Sequence, residues 1–105
     1  MGKTVVSFYE VPEGRNVIAN FQLVYSDGGK EITRSKPHTI SLGVDCDPVV
    51  ELAGVNTYLQ THPNFLWPAI PESELNRAYA LCAAEHTPEV KAAFEIWKKS
   101  LAEKQ

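Results

Sequence analysis

Residues 16–29, NVIANFQLVYSDGG, decide the fold. Val17, Ala19, Phe21, Leu23 and Tyr25 share one parity, while Asn20 and Gln22 sit on the other between Ile18 and Val24. Successive strand residues point to opposite faces, so this alternation is what a strand with one buried face requires. Ser26-Asp27-Gly28-Gly29 then supplies a hairpin turn, because glycine takes the positive φ of a tight reversal at no steric cost. The pattern predicts an antiparallel pair between residues 17–25 and a strand starting near Lys30.

Upstream, Lys3 to Glu10 is rich in strand formers, and Pro12-Glu13-Gly14 offers a turn back into the central strand. Val5 and Tyr9 point one way and Val6 and Phe8 the other, so both faces of this first strand are expected to be partly covered. Downstream, a third strand runs through Glu31-Ile32-Thr33-Arg34 and resumes at Thr39-Ile40-Ser41-Leu42. Pro37 lies between the halves and cannot donate to a ladder, so the strand bends, bulges or lies at an edge there. Arg34, Lys36 and His38 share one nominal parity with Ile32, Ile40 and Leu42, unless a bulge at Pro37 shifts the register.

After Cys46 the period changes from two to that of a helix. Asp47 is placed to cap a helix and Pro48 suits its first position, where a missing N–H costs nothing. Val49, Leu52, Val55 and Leu59 form its apolar stripe, and His62-Pro63 ends it. A second helix from Glu72 to about Glu85 offers Leu75, Ala78, Tyr79 and Cys82, widened by Leu81. Thr87-Pro88-Glu89 opens a third, on which Val90, Ala93, Phe94, Trp97 and Leu101 recur; Phe94 and Trp97 are expected in the core.

The order β-β-β-α-α-α predicts an α+β fold, a three-stranded antiparallel β-meander followed by three α-helices packed on one sheet face. Residues 1–105 form one domain, with a sheet region over 1–42 and a helical region over 47–104. Thirteen acidic residues against ten basic ones leave a charge of -3, which argues against nucleic acid as a partner. No apolar run is long enough to span a membrane, and Met1-Gly2-Lys3-Thr4 lacks the order of a secretion signal, so a cytoplasmic protein is expected.

Chemistry is sparse. His38, Cys46, His62, Cys82 and His86 are the conceivable metal ligands, and only Cys82 and His86 are spaced to share an ion on one helix face. Two ligands make no structural zinc site, so no metal or other cofactor is assigned, and both cysteines are expected as free thiols. No nucleophile elbow or phosphate-cradling turn into a helix occurs, so no catalytic residue is assigned and the chain is expected to be non-enzymatic.

Two surfaces remain. In the connector Asn64 to Pro71, prolines prevent a helix while Phe65, Leu66, Trp67 and Ile70 crowd together. These four either fold back as a lid over the core or form an interaction surface. Arg34, Lys36 and His38 form the other, a basic patch. The expected function is a protein–protein interaction or assembly module, whose partner is another protein or a second copy in a homodimer. The alternative is a nucleic-acid or small-ligand binder using the sheet and the Arg34/Lys36 region.

Overall fold

The computed structural model describes residues 2–12 and 16–103. Seven elements follow in order: β1 (Gly2–Glu10), β2 (Val17–Asp27), β3 (Lys30–Arg34), β4 (His38–Leu42), α1 (Pro48–Thr61), α2 (Glu72–Glu85) and α3 (Pro88–Glu103). β2 is central. It pairs antiparallel with β1 from Gly2↔Ser26 to Glu10↔Ile18 without a break. On its other side it pairs with β3 near the hairpin and with β4 beyond it. The sheet is thus three strands wide, as the alternation predicts, with β3 and β4 as two lengths of one outer strand. Gly28 and Gly29 take φ of 59° and 81° in the hairpin turn. Of the expected Pro12-Glu13-Gly14 turn, Glu13 and Gly14 lie outside the described residues.

The strong parity of β2 is the core. Val17, Ala19, Phe21 and Leu23 are buried with Val5 of β1 and Leu42 of β4 against Leu52 and Leu59 of α1 and Ala78 and Cys82 of α2. α1 begins where its cap predicts, with the Asp47 carboxylate accepting from the Val49 N–H at 3.0 Å. Its stripe is narrower than expected, since Val49 is exposed on the turn beside the cap. α2 has no side-chain cap; Glu72 and Glu74 place negative charge in its first turn, at the positive end of the helix dipole. It is bolted to β1 by Ser7 donating to the Glu74 carboxylate and by Tyr9 donating to the Glu74 carbonyl at 3.0 Å. Burial raises the Tyr9 phenol, opposed by its hydrogen bond with Ser7.

The opposite sheet face presents Phe8, Thr39 and Ser41 to solvent. Asn20 is buried there, donating to the Phe8 carbonyl at 3.4 Å and accepting from Thr39 Oγ1 at 2.6 Å. The two-faced pattern of β1 therefore does not mean two covered faces: Val5 meets the helices, whereas Val6 and Phe8 lie on the open side.

α3 departs from the sequence expectation. It starts as read, with Thr87 Oγ1 accepting from the Val90 N–H at 3.3 Å, yet it buries no residue. Phe94 is half-buried and Trp97 is 55% exposed, so neither belongs to the core. The stripe is present, but β1, β2 and β4 with α1 and α2 already close the core and leave it nothing to enter. Among the described residues no helix is long and apolar enough to cross a membrane.

Candidate interaction surface

The connector is resolved mainly as a lid. Trp67 is 7% exposed and Ile70 is 4% exposed, both inside the core, and Phe65 packs against it. Two bonds to α1 hold the segment: Trp67 N–H to the Leu59 carbonyl at 2.8 Å and Ile70 N–H to Asn56 Oδ1 at 3.0 Å. The Phe65 ring lies 5.5 Å from Tyr58, 5.4 Å from His62 and 5.8 Å from His38. Leu66 alone turns outward, 65% exposed, in the left-handed region at φ 50°. That strained residue lets Phe65 and Trp67 enter the core on either side of it.

The basic patch does not assemble. From Arg34 to His38 the chain advances four positions, while β2 advances three, from Val24 to Phe21. The extra residue is a bulge, and it turns the two side chains to opposite faces. Arg34 stands opposite Val24 on the open face, where its Nε donates to Glu31 at 2.9 Å and Nη1 to Gln22 at 3.1 Å. Its charge is met by the Glu31 carboxylate, which it holds below the usual range. His38 lies opposite Phe21 on the helix side, among Tyr58 and Phe65. Only Lys36 remains, exposed at the bulge.

A cleft opens between the β4–α1 loop, α2 and α3. One part, about 220 Å³, is lined by Val44, Asp45, Cys46, Lys91, Phe94 and Glu95. Another, about 200 Å³, carries Cys46, Tyr79, Cys82, His86 and Lys91. The structure thus brings together three residues that are 36 and 4 positions apart in sequence: Cys46, Cys82 and His86. Burial pushes the Cys82 thiol up to about 11, with the Cys46 charge adding. Burial also raises Cys46, followed by Glu51, Asp45 and Asp47. Both shifts run upward from an ordinary value near 9, so neither sulfur is activated as a nucleophile at neutral pH. Among the described residues no three His, Cys, Asp or Glu side chains converge as a metal site.

Of the α3 stripe expected to be apolar and inward, Ala93, Trp97 and Leu101 are exposed and Val90 and Phe94 half-buried; Ile96, outside that stripe, is exposed as well. The edge of α3 bearing Lys91, Phe94 and Glu95 looks onto the loop, with Lys98 Nζ 3.5 Å from Asp45. The neighbouring edge exposes Ile96 by 70%, Trp97 by 55% and Leu101 by 44%, with Ala93 also open. Comparison with known proteins finds no matching family, no matching curated protein and no matching solved structure.

Proposed function

We propose that this chain is a non-enzymatic assembly module that pairs with a second copy of itself through the exposed edge of α3. The observation that carries the reading is that edge: Ala93, Ile96, Trp97 and Leu101, one contiguous apolar strip with no cover in the monomer. A helix that fully buries none of its residues is marginal in water, since most helical stability in proteins comes from tertiary packing. The area also fits. The chain exposes 6896 Å², against about 5,900 Å² for a compact monomer of its mass, an excess close to the ~800 Å² that each partner buries in a standard interface. Charge does not oppose self-pairing, because Glu89, Glu95 and Glu103 balance Lys91, Lys98 and Lys99 along the helix. Two free thiols suit a reducing compartment such as the cytoplasm.

Sedimentation from micromolar to near-millimolar concentration tests this. The parent should rise above the mass of one chain, and Trp97→Glu should move the rise to about tenfold higher concentration while keeping the native circular dichroism. A parent that keeps the mass of one chain throughout, or a curve unmoved by Trp97→Glu, contradicts the reading.

A further inference from the structure

The two edges of the sheet are built differently. The β3/β4 edge is defended: Lys30, Glu31, Arg34 and Lys36 place charge along it, and Pro37 with two breaks in register interrupts its ladder. These are the devices by which proteins keep an edge strand from pairing with another chain. β1 has few of them over Gly2–Glu10. It holds nine residues in unbroken register with β2, carries no proline or bulge, and has charge only at Lys3 and Glu10 near its ends. Among the described residues no strand pairs with its outer edge, which keeps a row of backbone donors and acceptors open.

We infer that β1 is a second self-pairing surface, on which two copies join edge to edge into one continuous antiparallel sheet. A two-fold axis perpendicular to the sheet keeps both helical layers on one side, so it pairs odd residues with odd and even with even. The register that uses all nine residues centres on Val6. Val6 then faces Val6 of the second copy, Thr4 faces Phe8, Val5 faces Ser7, Lys3 faces Tyr9 and Gly2 faces Glu10. No like charges oppose one another in this register. The half-exposed Val6 and exposed Phe8 gain apolar neighbours on the open face. This contact is independent of α3, which docks by the β4–α1 loop at the other side of the sheet. Two different two-fold contacts in one chain extend assembly beyond a dimer, to a closed tetramer or an open row.

Because residue 6 meets its own copy, opposite charges there distinguish this register from any general loss of stability. The test uses full-length chains carrying Trp97→Glu, so that the α3 contact is weakened and β1 is read by itself. The Trp97→Glu chain should reach the mass of a dimer at near-millimolar concentration. Adding Val6→Lys or Val6→Glu should return each chain to monomer, and an equimolar mixture of the two should dimerise again. Three results overturn the inference: a Trp97→Glu chain that never exceeds one copy, association unchanged by either Val6 substitution, or a mixture no heavier than its components.

Discussion

Trp67 and Trp97 lie thirty positions apart in similarly apolar surroundings, and the fold gives them opposite environments. Trp67 fills the core, so Trp67→Ala should cost ~3–5 kcal/mol in urea denaturation, whereas Trp97→Ala in the monomer should stay within about 0.5 kcal/mol. Leu66 supplies a second check. A left-handed leucine costs ~1–2 kcal/mol relative to glycine, so Leu66→Gly should raise the denaturation midpoint. Cys82 gives the chain a pH dependence. Its thiol titrates at about 11 when folded and near the ordinary 9.0 when unfolded. Between those values the unfolded chain holds fewer protons, so stability falls as pH rises across the window. Cys82→Ala should flatten that decline relative to the parent; parallel declines in the two proteins contradict it.

At the level of elements, the sequence is most legible where one physical rule acts alone. The parity of residues 17–25, the Asp27-Gly28-Gly29 turn and the Asp47-Pro48 and Thr87-Pro88 helix starts are all found where local chemistry puts them. Pro37 shows the limit. Its missing N–H announces an interruption, but the bulge also depends on Ser35, whose Oγ accepts from the Leu23 N–H at 2.9 Å while its own N–H donates to the Leu23 carbonyl at 2.8 Å. A side chain thus stands in for a ladder group, and no periodicity signals that. Ser35→Ala should leave the Leu23 N–H short of a partner and destabilise by ~1–3 kcal/mol, with faster amide exchange at Leu23. An unchanged exchange rate there contradicts the role given to Ser35. The stripe of α3 was legible too; whether anything covers it was not, because cover is a property of the other elements.

The whole molecule is elongated. The radius of gyration is 16.5 Å, where a compact chain of this length has about 13 Å, and the longest dimension is 57 Å against 27 Å and 19 Å. The sequence left the connector as either a lid over the core or an interaction surface, and its buried Trp67 and Ile70 match the lid. Prolines and apolar side chains mark a segment that must be covered; the core takes in Trp67 and Ile70, and hydrogen bonds from their N–H groups to Leu59 and Asn56 of α1 anchor the segment there. The surface proposed here is instead α3. Amide hydrogen exchange of the native protein at micromolar and near-millimolar concentration tests that claim most directly, with the core amides of β2 as the internal reference. Self-pairing through α3 predicts that exchange across residues 93–101 slows as concentration rises while the β2 amides stay constant. Exchange in α3 that is fast and identical at both concentrations contradicts it.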